Sequence, residues 1–200
     1  MPVRCDNLHG GEDDIRIRVS YLDRISQFAA LQGAYILPQF FAQFGFRFQQ
    51  LEAFERALRL NPQFAEAQNN LGTISQREGK PEKALREYQE AIRIDPNYPE
   101  GHNNAANLYC LQKNFPEAIK EYKQALSLRP DYFEAQFGLA GLFLMQGDFA
   151  HAEEEYGKAH AINPEKVESA LRQALDLNLG PVLTSEVKKI LTRVSPSFNQ

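Results

Sequence analysis

The amino-acid sequence predicts an all-α fold in which pairs of short helices stack into a solenoid, and three observations support this prediction. Residues of the same chemical type recur every 34 positions through the central part of the 200-residue chain. Each repeating unit divides into two amphipathic segments of about 13 residues, which are too short to be stable as isolated helices. The apolar fraction of 43% and the charged fraction of 24% are those of a folded chain. Stacked units of this kind bury a continuous core.

Six sets of equivalent residues define the repeat. Four sets recur four times and two sets recur three times, always at the same interval. The sets are Pro62, Pro96, Pro130 and Pro164; Phe54, Tyr88, Tyr122 and Tyr156; Ala57, Ala91, Ala125 and Ala159; Leu60, Ile94, Leu128 and Ile162; Ala84, Ala118 and Ala152; and Gly72, Ala106 and Ala140. Proline restricts the residue before it and cannot continue a helical hydrogen-bond ladder, so each proline marks the end of a helix. The small residues are expected where two helix backbones approach each other.

At these residues the chain resembles the tetratricopeptide repeat, whose pattern has small residues at positions 8, 20 and 27, an aromatic residue at 24 and proline at 32. The resemblance covers three complete units, 65–98, 99–132 and 133–166. It implies a right-handed α-α superhelix in which the first helix of every unit lines a concave groove that binds a partner. In the first full unit the pattern predicts helices over 65–78 and 81–94, with Gly79 in the turn between them.

The N-terminal end departs from the pattern. The unit 31–64 matches only in its second half, because Pro38 replaces the small residue expected at position 8, and it is interpreted as a degenerate unit. Residues 1–30 belong to no complete repeat and are expected to form a partly flexible arm. No charged residue occurs within 25–46, a length that can span a bilayer, but the glutamine side chains there would be costly to bury in hydrocarbon. A distorted repeat helix and a membrane anchor both stay open for this stretch, and the glutamines weigh against the anchor.

The C-terminal residues 167–200 are predicted to form capping helices. A helix over 167–177 continues the array. In the helix that follows, Val187, Ile190 and Leu191 form an apolar stripe that is opposed by charged side chains. A capping helix of this kind covers the last apolar face of a solenoid and presents charge to water.

The charge balance limits the classes of partner. The formal net charge is −4, and residues 65–166 carry 11 Lys and Arg against 16 Asp and Glu. Nucleic-acid binding needs clustered basic residues, so we expect no nucleic-acid partner and instead a protein partner that is rich in Lys or Arg. Cys5 and Cys110 are too few for a disulfide framework and show no metal-ligand spacing, which fits a cytoplasmic protein.

The resemblance also indicates which side chains line the groove. In this family they come from positions 2, 5, 6, 9, 12 and 13 of the first helices. The residues that form the candidate partner-binding site are Glu66, Asn69, Asn70, Thr73, Arg77, Glu100, Asn103, Asn104, Asn107, Glu134 and Phe137. The predicted groove therefore changes along its length from polar amides to apolar side chains.

Five asparagines are the most informative members of this set. Asparagine is a poor helix former, and its carboxamide can pair with the N–H and C=O of any peptide group. Asn70 and Asn104 occupy equivalent places in successive units, which resembles the asparagine ladder in the repeats of O-linked N-acetylglucosamine transferases, although the ladder stops at Gly138. A peptide-binding row and a solvated polar face without a ligand are the two interpretations of this pattern.

Catalytic and metal sites have little support in the sequence. His102 stands where the family has a bulky aromatic residue, so we expect a buried, hydrogen-bonded histidine. His151 and His160 have no matching Cys or His, and the chain contains neither a glycine-rich phosphate loop nor a nucleophile elbow. We therefore expect a protein that is not an enzyme and that uses no cofactor, no metal and no small-molecule substrate.

The leading hypothesis is a scaffold or adaptor that holds a peptide or a helix of a partner protein in the groove. An alternative is a substrate-recruiting repeat region or accessory subunit of an enzyme such as a glycosyltransferase. A weaker alternative is a membrane-tethered assembly factor that uses residues 25–46. A clamp for the acidic C-terminal peptides of chaperones is not expected, because the lysines that it needs are missing from the corresponding positions.

Overall fold

The computed structural model describes residues 50–177 and 180–195, and within these ranges every regular element is an α-helix. The all-α class that the periodicity predicts is confirmed. The described residues from Leu51 onward belong to one compact unit. The predictions for the arm and for the stretch 25–46 concern residues outside the described ranges.

The described ranges contain a helical segment at 50–60, here α1, and eight further helices. These are α2 (Ala65–Arg77), α3 (Pro81–Ile94), α4 (Pro99–Leu111), α5 (Phe115–Leu128), α6 (Phe133–Gln146), α7 (Phe149–Ile162), α8 (Pro164–Asp176) and α9 (Pro181–Val194). Helices α2, α4 and α6 are the first helices of three successive 34-residue units, and α3, α5 and α7 are the second helices. The first and second helices of a unit are antiparallel neighbours joined by a short turn.

Helix pairs are the packing unit of the fold. Each first helix packs along the second helix of its own unit, each second helix contacts the next helix along the chain, and α2 contacts α4 as α4 contacts α6. The alanines at the helix crossings have no exposed surface. They are Ala84, Ala91, Ala106, Ala118, Ala125, Ala140, Ala152 and Ala159. The backbones therefore approach closely where the repeat has small residues, and the stacked pairs form a helical solenoid.

The turn between the two helices of a unit uses a left-handed backbone conformation. Gly79 has a φ of 73° and Gly147 a φ of 76°, as expected for glycine at the end of a helix. Lys113 holds the equivalent place in the middle unit with a φ of 60°. This conformation costs a residue with a Cβ about 1–2 kcal/mol, so the middle unit contains backbone strain that the other two lack.

The C-terminal helix α8 begins three residues before the predicted start at Val167. The side chain of Asn163 accepts a hydrogen bond from the backbone N–H of Lys166 at 3.0 Å, and Pro164 occupies the first turn, where its missing N–H is no loss. In the two earlier units a tyrosine precedes the next first helix, whereas the equivalent residue here is Lys166, which is a good helix former. Pro164 therefore starts a helix, while the equivalent prolines stand in turns.

Helix α9 packs over the end of the described array. Helix α9 contacts both α7 and α8. Val187, Ile190 and Leu191 are buried in the same apolar cluster as Val167 and Leu171 of α8. The charged side chains on the opposite side of α9 are exposed. The apolar stripe and its charged counterpart thus have the orientation that a capping helix requires.

Two tyrosines of the second helices each fill the space beside a glycine of a first helix. Tyr88 leans on its own first helix, because a Cβ on Gly72 would lie 2.5 Å from Tyr88 Cε1. Tyr122 bonds its own first helix through Asn107, and its ring also fills space in the next unit, where a Cβ on Gly138 would lie 2.7 Å from Tyr122 Cε1. In both cases a glycine leaves the space that the ring fills. Asn104 stands in the first-helix place equivalent to Gly138, so Tyr88 has no such space on the side of the next unit.

We expect Gly72→Ala to lower the free energy of unfolding by about 1–3 kcal/mol, because the added methyl group overlaps a ring that is already fully packed. Tyr88 is only 1% exposed and has no room to move away. Gly157→Ala is the matched control, since Gly157 lies within α7 and no atom lies within 4 Å of the Cβ it would carry. The control should stabilise by about 0.5–1 kcal/mol, because alanine favours the helix. Chemical denaturation measures both changes, and equal midpoints for the two variants would contradict this packing.

Candidate partner-binding face

Helices α2, α4 and α6 lie side by side and present one continuous surface, called here the first-helix face. All predicted groove residues lie on these three helices, but they differ in accessibility. Glu66, Arg77 and Glu134 are exposed; Asn70, Thr73, Glu100, Asn104, Asn107 and Phe137 are half-buried; Asn69 and Asn103 are buried. The two buried asparagines are therefore part of the packing between first helices as well as of the face.

A hydrogen-bonded amide network joins α2 to α4. The Nδ2 of Asn104 donates to Oδ1 of Asn69 at 2.9 Å, and the Nδ2 of Asn103 donates to Oδ1 of Asn104 at 3.3 Å. Asn69 is 5% exposed and Asn103 is 4% exposed. The residue that Asn104 contacts across the helices is thus Asn69, whereas the sequence pattern placed it in a row with Asn70.

Two amide groups keep hydrogen-bonding capacity. Asn70 is half-buried and takes no part in the network. The Oδ1 of Asn103 is buried and has no hydrogen-bond partner among the described residues. A buried acceptor without a donor costs about 1–3 kcal/mol, so an N–H group that reaches it from outside would be favoured.

The tyrosines of the second helices reach the same face with their hydroxyl groups. The hydroxyl of Tyr88 donates to Oε1 of Gln76 at 2.9 Å, and that of Tyr122 donates to Oδ1 of Asn107 at 2.5 Å. The ring of Tyr122 also fills the space at Gly138, where a third ladder residue would stand. The asparagine ladder therefore ends at the third unit because a tyrosine from the second unit occupies its place.

One border of the first-helix face is acidic and aromatic, and we call it the acidic edge. It consists of Glu66, Glu100 and Glu134 in the first turns of α2, α4 and α6, with Tyr98 and Tyr132 between them. Burial, together with the charges of the adjacent glutamates, raises the pKa of both tyrosines to about 12. The sequence analysis predicted these glutamates only as groove residues. Because they recur at the 34-residue period, the acidic row could also have been identified from the sequence.

The opposite border is apolar, and we call it the apolar edge. Leu111 is 71% exposed and Met145 is 69% exposed, at equivalent places near the ends of α4 and α6. Helix α8 follows in the array but leaves Met145 exposed. At the other end of α6, beside Glu134 of the acidic edge, Phe133 and Phe137 line a separate groove of about 420 Å³ between α6 and α8. Exposed apolar side chains at repeated places indicate a contact surface.

His102 is buried, as expected, and both of its ring nitrogens face acceptors. Its Nδ1 lies 2.6 Å from Oε2 of Glu121 and its Nε2 lies 3.0 Å from the carbonyl oxygen of Pro96. Burial lowers the pKa of His102, but the hydrogen bonds to Glu121 and Pro96, with the charges of Glu121 and Asp95, outweigh it and raise the pKa above 6.5. A ring that donates at both nitrogens is the protonated imidazolium.

The His102–Glu121 pair is one member of a repeated set that the sequence interpretation missed. Glu87, Glu121 and Glu155 recur at the 34-residue period on the second helices. In the third unit Gln136, at the place equivalent to His102, donates to Glu155. These contacts hold the first and second helices of a unit together, so they are structural.

The two remaining described histidines also have carboxylate neighbours. The Nδ1 of His151 lies 2.7 Å from Oδ2 of Asp148, and the Nε2 of His160 lies 3.2 Å from Oε1 of Glu168. Within residues 50–177 and 180–195 there is no group of three or more His, Cys, Asp or Glu that could hold a metal ion. In the same part of the chain, no helix combines the length and the apolar character needed to cross a membrane.

The fold and this face define a helical-repeat protein, and comparisons identify the repeat. Residues 76–112 and 106–147 match the family model described as TPR repeat, and residues 53–86 match the model described as tetratricopeptide repeat. These residues of the chain therefore belong to the tetratricopeptide-repeat family, as the sequence predicted. Comparison with curated protein sequences yields no match.

Solved structures of the same fold include two crystal structures of MamA. Each has a TM-score of 0.61 and 19% sequence identity over 80% of this chain, and the alignments cover 92% and 87% of the MamA chains. The first TPR of Spaghetti (RPAP3), bound to HSP90 peptide SRMEEVD, has a TM-score of 0.50 and 19% identity over 68% of this chain and 94% of that chain. At this identity the likeness establishes the solenoid fold of the chain.

We expect stability to depend on pH through His102. A histidine with a raised folded pKa stabilises fully below its unfolded pKa of about 6.5, and this contribution is lost as pH rises through the folded pKa. The free energy of unfolding of the native protein should therefore fall, relative to that of His102→Gln, across this interval. Glutamine is the matched replacement because Gln136 makes the equivalent contact. Denaturation of both proteins in a pH series measures the difference, and a difference that is constant with pH would contradict the charged pair.

Proposed function

We propose that the protein is a scaffold or adaptor that holds a segment of a partner protein on its first-helix face. The observation that carries this proposal is the layout of that face. An acidic edge and an apolar edge lie on opposite sides of an amide network that keeps unused hydrogen-bonding capacity. This layout matches a segment that has basic side chains, a peptide backbone and apolar side chains.

The charge of the face favours a basic segment. Glu66 and Glu134 are exposed on it, and residues 65–166 carry 16 acidic against 11 basic residues. The RPAP3 neighbour is bound to the acidic peptide SRMEEVD. In this chain the places that correspond to an acidic-peptide clamp hold Asn69, Thr73 and Glu134 and provide no lysine. A carboxylate-rich peptide would therefore be repelled, whereas Lys or Arg side chains would be attracted.

The dimensions of α4 suggest a spacing for the partner. The acidic edge and the apolar edge, marked on α4 by Glu100 and Leu111, lie near opposite ends of the helix and are therefore roughly 16 Å apart along its axis. An extended chain covers that distance in about five residues. We therefore expect a basic residue and an apolar residue about five positions apart in a segment that crosses the face.

The alternatives receive less support. The accessory-subunit hypothesis drew on a partial asparagine row of Asn70 and Asn104, and the amide of Asn104 is already engaged by Asn69. A catalytic role for His102 is disfavoured because both ring nitrogens are engaged inside the packing. We propose that the chain is not an enzyme. Action in the cytoplasm is part of the same proposal and draws on the cysteine content of the sequence.

Selection from a displayed library of random peptides tests the proposal, with the whole chain as target. We expect enrichment of peptides that carry Lys or Arg and an apolar residue about five positions apart. In calorimetric titration, Leu111→Ser combined with Met145→Gln should weaken binding of the enriched peptides at least about fivefold. Val182→Thr is the control, because Val182 is a similarly exposed apolar residue on the capping helix α9. No enrichment, or equal affinity for the two variants, would refute the assignment of the face.

The unused amide gives a second measurement. Asn70→Ala should weaken binding of the same peptides by about two- to tenfold, because one hydrogen bond is lost, and should leave the fold at least as stable. Asn104→Ala is the contrasting variant, since it removes the donor to buried Asn69 and should lower the free energy of unfolding by about 1–3 kcal/mol. Unchanged affinity in Asn70→Ala would place the bound backbone elsewhere on the face.

A further inference from the structure

Two of the three glutamates on the acidic edge form an ion pair with a basic side chain of the same protein. In both cases this basic side chain also lies over an aromatic ring. The Nη2 of Arg129 lies 2.6 Å from Oε1 of Glu100, and its Cζ lies 4.7 Å from the centroid of the Tyr132 ring. The Nζ of Lys166 lies 3.6 Å from Oε1 of Glu134 and 5.0 Å from the centroid of a phenylalanine ring. A carboxylate beside the face of an aromatic ring therefore binds a cation in this protein, and we call this arrangement a cation seat.

The first unit has the carboxylate and the ring of this seat without the cation. Glu66 and Tyr98 are equivalent by the 34-residue period to Glu100 and Tyr132. The residue equivalent to Arg129 is Asp95, which cannot fill the seat and adds a negative charge near it. Glu66 is exposed and forms no ion pair within the described residues.

We propose that Glu66 and Tyr98 form a seat for an arginine side chain of the partner, which takes the place that Arg129 takes one unit further along. This inference rests on the proposed function and assigns the basic part of the partner to a particular site. Arginine fits better than lysine, because the planar guanidinium can donate to the carboxylate and stack on the ring at the same time.

The electrostatic surroundings of the two tyrosines agree with this equivalence. Burial raises the pKa of Tyr98 and the charges of Glu100 and Glu66 raise it further, while the charge of Arg129, which pairs with Glu100, lowers it in part, so that the pKa is about 12. For Tyr132 the same causes act, through burial and the charges of Glu100 and Glu134. Each ring is therefore neutral and lies between two carboxylates, which is the environment in which a cation over an aromatic face is most favoured.

The seat can also be filled from within the chain. Asp95 and Arg129 begin the same kind of turn, in which the backbone N–H of Tyr98 or Tyr132 donates to their carbonyl oxygens at 3.2 Å and 3.1 Å. Asp95→Arg therefore places an arginine where the second unit already has one. Conversely, Arg129→Ala removes the resident cation and opens the second seat beside Tyr132.

The test uses the hexapeptide Ac-Arg-Ser-Gly-Ser-Gly-Leu-amide, whose arginine and leucine have the spacing expected for the face, and follows the Tyr98 ring by NMR. We expect the NMR signals of the Tyr98 ring to shift as peptide is added and the shift to saturate. Glu66→Gln, Asp95→Arg and replacement of the peptide arginine by neutral citrulline should each weaken binding about three- to thirtyfold. Lysine in the peptide should bind less tightly than arginine. Glu82→Gln is the matched control, because Glu82 lies in the first turn of the second helix α3, and it should leave the affinity unchanged.

The variant Arg129→Ala provides a second test, because it removes the cation from a seat that is occupied in the native protein. In Arg129→Ala the hexapeptide should also shift the NMR signals of the Tyr132 ring. It should not do so in the native protein. Thermal unfolding verifies that each variant is folded. No shift of Tyr98 in the native protein, equal affinity for Glu66→Gln and the native protein, or equal binding of the citrulline peptide would overturn the inference. If library peptides still lose affinity in the Leu111 and Met145 variant while any of these results holds, the adaptor function stands and only the arginine seat fails.

Discussion

The packing of the second-helix tyrosines between first helices is the interaction on which the rest of the structure depends. The rings of Tyr88 and Tyr122 start in the buried layer, and their hydroxyls end on the first-helix face. Each ring fills the space beside a first-helix residue that lacks a side chain, Gly72 for Tyr88 and Gly138 for Tyr122. Because these rings cross the whole layer, the core packing and the polar pattern of the face cannot be changed independently.

The sequence predicted the helices well because their signals are local and repeated. The first predicted helix, 65–78, differs by one residue from the observed Ala65–Arg77. The contacts across helices were harder to predict, since a common period identifies equivalent residues and says nothing about how far one helix is shifted against the next. That shift pairs Asn104 with Asn69. The start of α8 was missed for another reason, because Pro164 ends a helix in one context and begins one in another.

Stability and binding use the same chemical groups along the acidic edge. In the second and third units Arg129 and Lys166 neutralise the glutamates and cover adjacent rings. Such exposed pairs each contribute about 0–1 kcal/mol to folding, so they are weak enough to be exchanged for contacts with a partner. The glutamate recurs at every period, but Glu100 and Glu134 are paired with a cation of the protein and Glu66 is not paired within the described residues.

The amide network and the packing of the two tyrosines against different glycines have a consequence for how this array can change in length. Removal of one whole period, 99–132, would keep every helix pattern intact and would bring α2 next to α6. Asn69 would then lose the amide of Asn104, and Tyr88 would meet Gly138 while still facing Gly72. The contacts of each unit therefore fit its present neighbour, and the units cannot be reordered without the loss of these contacts. Duplication or loss of a single unit, the usual way in which repeat arrays lengthen and shorten, would leave unmatched surfaces in this protein.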